Sequence, residues 1–183
     1  MHKRRSVLGG AVLSGGEPCL YKELGGLIRE IKKLPLPVKL DTNGMCPDML
    51  EELLGSGETS PDYIALDLKI APERYAELLP PVENGKKSLP ALLNRSAKLV
   101  RHSGIAHEYR SLVLPGGFIT EEDIKALSPL ADDGPWHFRP FRGGNCLDPA
   151  WNSLEESAET AQEQAKTLCA KAMELGKNAV CSV

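Results

Sequence analysis

The stretch Val7 to Leu20, VLGGAVLSGGEPCL, decides the fold. A short aliphatic run ends abruptly in Ser14-Gly15-Gly16-Glu17-Pro18, which reads as a buried strand over residues 7–13 delivering a tight loop at its C-terminal end. That loop is the candidate site. Adjacent Gly15 and Gly16 let the backbone approach a ligand closely, and Glu17 adds one acceptor of fixed charge. A plain strand-to-helix turn carrying a surface carboxylate is the alternative reading of the same residues.

Outward from this stretch, strand-like and helix-like segments alternate, the pattern of an α/β architecture with parallel strands. Apolar residues from Leu20 through Leu24, Leu27, Ile28 and Ile31 to Leu34 recur at helical spacing. Pro35 and Pro37 stop that helix, and Val38 to Asp41 forms the next strand, ending in Asp41-Thr42-Asn43-Gly44. Pro47 opens and Gly55 closes a second helix. A strand over Tyr63 to Lys69 follows, then a short helix over Glu73 to Leu79 and a polar loop with Pro80, Pro81, Asn84 and Gly85. Ser88 caps a helix that runs to Gly104. His107 to Leu114 is a strand, Thr120 and Asp123 form a capping box for a helix through Leu130, and Trp136 to Phe141 is the next strand. The last helix starts at a Ser153/Glu156 capping box, buries Leu154, Ala158, Ala161, Ala165, Leu168, Ala172 and Leu175, ends at Gly176, and is followed by a strand over Ala179 to Val183.

Composition narrows the function classes. With 183 residues, 42% hydrophobic and 26% charged, the chain suits one soluble domain spanning residues 1–183. The formal net charge of -3 leaves no basic footprint for a nucleic-acid partner. No apolar run approaches the roughly 20 residues of a bilayer span, and the basic start lacks a signal peptide's apolar stretch, so no membrane partner and a cytoplasmic location are expected. The cysteines Cys19, Cys46, Cys146, Cys169 and Cys181 are scattered and form no CxxC pair, which fits reduced thiols better than a zinc site or disulfide framework. Cys146 stands in a Gly-Gly-Asn-Cys loop, but an iron–sulfur site needs several converging thiolates. His102 reads as a helix-end residue, and His107 and His137 as non-ligands, while Trp136 and Trp151 read as packing residues.

Strand alternation gives the strongest physical argument, because successive side chains point to opposite faces. Ile64, Leu66 and Leu68 share one face, and Asp67 and Lys69 the other. Val38 and Leu40 oppose Lys39 and Asp41, and Glu108 and Arg110 share a face. The strands thus present aliphatic residues to covering helices and charges of both signs to the other side. Buried charges are costly unless paired, so such a face implies mutual salt bridges, a polar ligand, or both.

AVLSGGEP followed by KLDTNG, ALDLK, YRSLVLPGGFITEEDI and FRPFRGGNCLDP resembles the radical S-adenosylmethionine enzymes. Among them the set is most similar to the activases of glycyl-radical enzymes, of the anaerobic ribonucleotide reductase and pyruvate formate-lyase types. The resemblance implies a partial (β/α) barrel with S-adenosylmethionine as cofactor and a glycyl-radical enzyme as partner. It implies that Ser14, Gly15, Gly16 and Glu17 hold the methionyl amino group. Asp41, Thr42, Asp67 and Lys69 would surround the carboxylate and ribose, with a monovalent cation between Asp41 and Asp67 in some relatives. Arg110 and Arg142 would make later cofactor and substrate contacts. A parallel barrel would gather these groups at the C-terminal ends of its strands, where a zwitterionic ligand bearing a ribose would suit them. In the family a CxxxCxxC loop binds a [4Fe-4S] cluster, and this sequence has none. The first strand, cluster loop and first helix are therefore expected to be missing together, in a truncated domain that is inactive alone or completed by an N-terminal fragment. A non-catalytic adenosyl-ligand or partner-binding module is the alternative, and an unrelated barrel hydrolase or isomerase using Asp67 and Lys69 is a third reading.

Overall fold

The structure is a computed structural model that describes residues 7–78, 89–114, 116–142, 144 and 155–182. The Ser88 cap, the Ser153/Glu156 capping box, the Pro80–Gly85 loop, Cys146 and Trp151 lie outside the described residues. Two compact units divide the chain. One takes it to Asp67 and again through the helix after residue 88 to Glu108, and the other takes the segment from Leu68 and everything from Tyr109 onward.

In the first unit β1 (Ala11–Leu13), β2 (Val38–Thr42) and β3 (Tyr63–Asp67) are parallel and adjacent in chain order. They alternate with α1 (Leu24–Lys32), α2 (Pro47–Leu54) and α3 (Leu89–His102), and β4 (Ala106–Val113) starts here. Leu24, Ile28 and Ile31 of α1 join Val38 and Leu40 of β2 and Leu50 and Leu53 of α2 in a closed core. Pro47 begins α2 in its first turn, where the missing N–H costs nothing, and Gly55 caps its end. His102 contacts the Lys98 carbonyl at 2.8 Å in the last turn of α3, as its place at a helix end suggests.

In the second unit β4, β5 (Trp136–Pro140) and β6 (Ala179–Cys181) are again parallel, with α4 (Glu121–Leu127) and α5 (Glu155–Glu174). Ala161, Ala165, Leu168 and Ala172 give α5 a smooth buried stripe. Trp136 and Phe138 pack with ring centroids 5.0 Å apart, and the indole N–H of Trp136 donates to Ser111 Oγ at 3.0 Å. The Thr120/Asp123 capping box forms as the sequence suggests. Asp123 also accepts from the Ala71 amide at 3.0 Å and from Arg74 at 2.6 Å. Burial opposes its ionisation, but these donors and Thr120 together hold its carboxyl below the usual carboxylate range. Among the described residues, no helix is long and apolar enough to cross a membrane.

Several boundaries differ from the sequence reading, each for a local reason. The first strand covers only Ala11–Leu13 rather than residues 7–13, because Gly10 lies against Pro37, where an added Cβ would stand 2.9 Å from its carbonyl oxygen. Within that strand Val12 pairs in register with Lys39 and Leu13 with Leu40, so Val12 shares the face of Lys39. The first helix starts at Leu24, since Pro18–Leu20 forms a separate 3-10 turn and leaves Leu20 exposed. The third strand stops at Asp67, after which the Leu68 amide donates to the Arg110 carbonyl at 2.8 Å. Residues Pro72–Leu78 are 3-10 rather than α-helical, and α4 ends at Leu127, with Leu130 buried in the turn that follows. Leu175 is 37% exposed and so falls off the buried stripe of α5.

Among the described residues the strand order ends on β1, and its surroundings are apolar and open. Val12 is 60% exposed, Tyr21 65% and Leu27 49%, and a cavity of about 330 Å³ lined by Leu13, Pro18, Tyr21, Leu24 and Leu27 opens beside it. An uncovered strand edge flanked by apolar surface is a template for association. We therefore expect concentration-dependent self-association in sedimentation velocity, weakened by Val12→Lys, which places a charge on the edge. A wild-type chain that stays monomeric across the concentration range would contradict this.

Candidate functional site

The site of the first unit begins at the turn after β1. Gly15 and Gly16 have φ of +95° and +56°, conformations that L side chains rarely adopt, and both are exposed. An added Cβ at either would meet nothing within 4 Å, so it is the backbone conformation and not lack of space that requires glycine here. The turn therefore presents main-chain groups of Ser14 to Gly16 outward, while Glu17 folds inward.

Glu17 is 9% exposed and its carboxylate is filled by protein donors. One oxygen accepts from the Cys19 amide at 3.1 Å and from the Thr42 hydroxyl at 2.7 Å, and the other accepts from the Asn43 amide at 2.7 Å. Thr42 Oγ1 in turn accepts from the Gly44 amide at 3.1 Å. Glu17 thus ties the loop after β1 to the loop after β2. The sequence resemblance implies Glu17 and Thr42 as ligand contacts, and in the fold their side chains also bond to each other.

Gly44 completes this brace with φ of +75°, and its carbonyl accepts from Ser96 Oγ at 2.7 Å. An added Cβ at Gly44 would lie 2.8 Å from Leu66 Cδ1, so here space and conformation both require glycine. Ser96 escaped the sequence reading. Its signal was a serine on the apolar face of a helix, where a fully buried hydroxyl needs a partner.

The charged face of the sheet is layered. Register places Lys39 beside Tyr63 and Asp41 beside Ala65, so Lys39, Asp41, Tyr63 and Asp67 share one face. In the lower layer Lys39 donates to Glu108 Oε1 at 2.8 Å and the Tyr63 hydroxyl donates to Glu108 Oε2 at 3.1 Å. Burial and the adjacent Glu108 carboxylate push the Tyr63 phenol up, which keeps it a donor. In the upper layer Asp41 stands 4.0 Å from Lys39, and Asp67 ends β3 one pleat beyond the level of Asp41. Both carboxylates therefore lie on one face toward the C-terminal ends of their strands.

Lys69, Arg110 and Arg142 belong to the second unit. The Lys69 amide donates to the Tyr75 hydroxyl at 3.0 Å, and Arg110 stands in register with His137. Arg142 follows β5 and lines a cavity with Arg139.

The donor set of the first unit fits an adenosyl amino acid. Outward backbone groups of Ser14 to Gly16 suit an ammonium, and two carboxylates on one face suit hydroxyls or a cation. The described thiols do not fit an iron–sulfur cluster. Burial pushes the Cys19 thiol up to about 12, with the Glu17 carboxylate adding to the shift despite a hydrogen bond to Thr42. Burial, Glu17 and Asp48 raise Cys46, and burial with the neighbouring Cys181 raises Cys169 to about 11. Among the described residues, no three His, Cys, Asp or Glu side chains are grouped to hold a metal ion.

Comparison with known proteins places the fold. The profile described as the Radical SAM superfamily matches residues 2–129. A protein of Methanocaldococcus jannaschii named as a glycyl-radical enzyme activating enzyme is 32% identical over 123 residues, which is 67% of this chain and 50% of that protein. The chain thus spans about half the length of that relative. Among solved structures, a domain of a pyruvate-formate lyase-activating enzyme from Bacteroides vulgatus superposes with a TM-score of 0.63 at 16% identity, covering 96% of this chain and 100% of that one. A radical SAM methyltransferase from Sphaerobacter thermophilus gives 0.64 at 14% identity, over 99% of this chain and 53% of that one. Streptococcus suis SuiB bound to S-adenosylmethionine gives 0.60 at 14%, over 94% and 38%. These likenesses establish the fold as a parallel α/β, partial-barrel arrangement of the radical SAM type.

Because Glu17 satisfies three donors in the interior, Glu17→Gln should lower unfolding free energy by roughly 1–3 kcal/mol in urea titrations, since it turns one accepting oxygen into an NH₂ facing donors. A loss below about 0.5 kcal/mol would mean that the brace contributes little.

Proposed function

Because the chain belongs to the Radical SAM superfamily, we propose that it is the S-adenosylmethionine-binding part of an activase for a glycyl-radical enzyme. The observation that carries this reading is the pair Asp41 and Asp67 on one strand face, at the level where the Ser14–Gly16 turn follows β1. Main-chain carbonyls of that turn would take the methionyl ammonium, and Asp41 and Asp67 would take the ribose hydroxyls or a monovalent cation. Lys69, Arg110 and Arg142 stand as further candidate cofactor and substrate contacts on the sequence resemblance alone. Glu17 and Thr42 act through the loops they brace, as positioning residues. When bound, S-adenosylmethionine supplies the reactive adenosyl group. The relative in Methanocaldococcus jannaschii supports a glycyl-radical enzyme as the partner, of the anaerobic ribonucleotide reductase or formate-lyase type that the sequence motifs imply.

Isothermal titration of the chain with S-adenosylmethionine tests the site. Saturable binding is expected, and the Asp41→Asn/Asp67→Asn double variant should bind about tenfold or more weakly, a change of about 1.4 kcal/mol. Absence of binding, or equal binding by the variant, would overturn the reading.

A second reading, a binding module without catalysis, is favoured by the scatter of the cysteines along the sequence. We expect that anaerobic reconstitution of this chain with iron and sulfide yields no stable [4Fe-4S] absorbance and no 5'-deoxyadenosine above a no-protein control. Production of 5'-deoxyadenosine would exclude the module reading and give the chain catalysis of its own.

A further inference from the structure

Two thiols of the second unit take no part in the adenosyl site, and the fold brings them together. Cys169 lies on the buried side of α5 beside Leu168 and is 2% exposed. Cys181 ends β6 in register with Phe138, and the Ser182 amide that follows it donates to the Phe138 carbonyl at 3.0 Å. Both thiols are free. The pleat gives Cys181 the face of the buried Ala179, while Val180 turns to the opposite, more open face. Register extends the face of Ala179 and Cys181 to Trp136 and Phe138 of β5, and α5 packs on these two strands.

The connection between α5 and β6 is tight. The Lys177 amide donates to the Ala172 carbonyl at 3.0 Å, and the Ala179 amide donates to the Lys177 carbonyl at 2.9 Å. Starting from Ala172 and Ala179, three residues back along α5 recede about 4.5 Å and two residues onward along β6 about 6.6 Å, so Cys169 and Cys181 come roughly level across the interface. Burial is the first cause of the raised Cys169 thiol, and the charge of Cys181 and a hydrogen bond between the two thiols follow. Lys166, one turn before Cys169, also lies within electrostatic reach of Cys181. The Cys19 thiol, by contrast, is hydrogen-bonded with Thr42 and Glu17.

We infer that Cys169 and Cys181 are a redox-active dithiol, a modification site at which hydrogen peroxide joins them in a disulfide that staples α5 to β6. Cys181 is the less buried of the two and meets the oxidant. Its sulfur attacks one peroxide oxygen, the O–O bond breaks, and a sulfenic acid and one water result. The Cys169 sulfur then attacks the Cys181 sulfur, the S–S bond forms, the S–O bond breaks, and hydroxide leaves with the Cys169 proton as a second water. Two electrons and two protons thus pass from the two thiols to the peroxide. Burial makes Cys169 a poor target for reagents from solution, but contact with Cys181 replaces a bimolecular encounter by a local one. The staple would fix α5, whose Gln164 also holds the Ile119 carbonyl at 2.7 Å, on the sheet. The inference stands apart from the activase reading, because neither thiol belongs to the adenosyl site.

The test is peptide mapping of the full chain after equimolar hydrogen peroxide, with the remaining thiols alkylated by iodoacetamide after unfolding. A peptide pair joined through Cys169 and Cys181 and separated by dithiothreitol is expected, with Cys19 and Cys46 still alkylated. In C169A the sulfenic acid on Cys181 has no resolving partner, so its dimedone labelling should rise severalfold over the native chain. C181S, altered at the less buried position, should lose the link while keeping its far-UV circular dichroism. The oxidised native chain should unfold at higher urea than the same chain treated with dithiothreitol, a shift that C181S lacks. Cys169 left fully alkylatable, equal dimedone labelling in C169A and the native chain, or a Cys181 link between two chains would overturn the inference. Linking that is as fast in the urea-unfolded chain as in the folded one would also overturn it, by showing closeness in sequence and not a pair built by the fold.

Discussion

The bond between Glu17 and Thr42 joins two loops that the sequence separates by a whole helix, and the geometry of the first unit's site depends on it. A carboxylate at 9% exposure carries a desolvation cost that only good donors offset. Glu17 finds them in the Cys19 and Asn43 amides and the Thr42 hydroxyl, so both loops are fixed by the same two oxygens. The glycine turn that precedes Glu17 is then free to face outward without being floppy, because its C-terminal end is anchored. In this division of labour the main chain of the turn stays exposed while side chains hold the two loops together.

The same economy of charge organises the strand face behind the site. Lys39, Tyr63 and Glu108 complete one another, so the 7% exposed glutamate has both carboxylate oxygens bonded within the protein. Asp41 and Asp67 sit a layer above them. A sheet with its lower charges internally matched has a preorganised floor.

Period-two alternation made most of this legible in the sequence. Val38, Leu40, Ile64 and Leu66 facing helices, with Lys39, Asp41 and Asp67 opposite, required only the pleat. The Thr120/Asp123 cap was legible because both partners lie within one turn. Glu17 and Thr42 were visible as site residues but not as each other's partners, since a contact between residues far apart in sequence leaves no local pattern. Ser96 was hidden for the same reason, and the shortness of β1 was hidden because its limit is the contact of Gly10 with Pro37. What sequence periodicity reports is which way a side chain points, and what it omits is what it meets there.

The thiols show why that omission matters for function. Cys19 immediately follows the Gly-Gly-Glu-Pro turn, so sequence alone would place a sulfur beside the candidate site. In the fold it is 4% exposed and its neighbour Glu17 is negative, two effects that both penalise a thiolate. A metal-binding thiol needs the reverse, positive surroundings and access. Cys19 is accordingly a core residue that happens to lie next to the site, its thiol pushed up first by burial and then by the carboxylate that braces the loop.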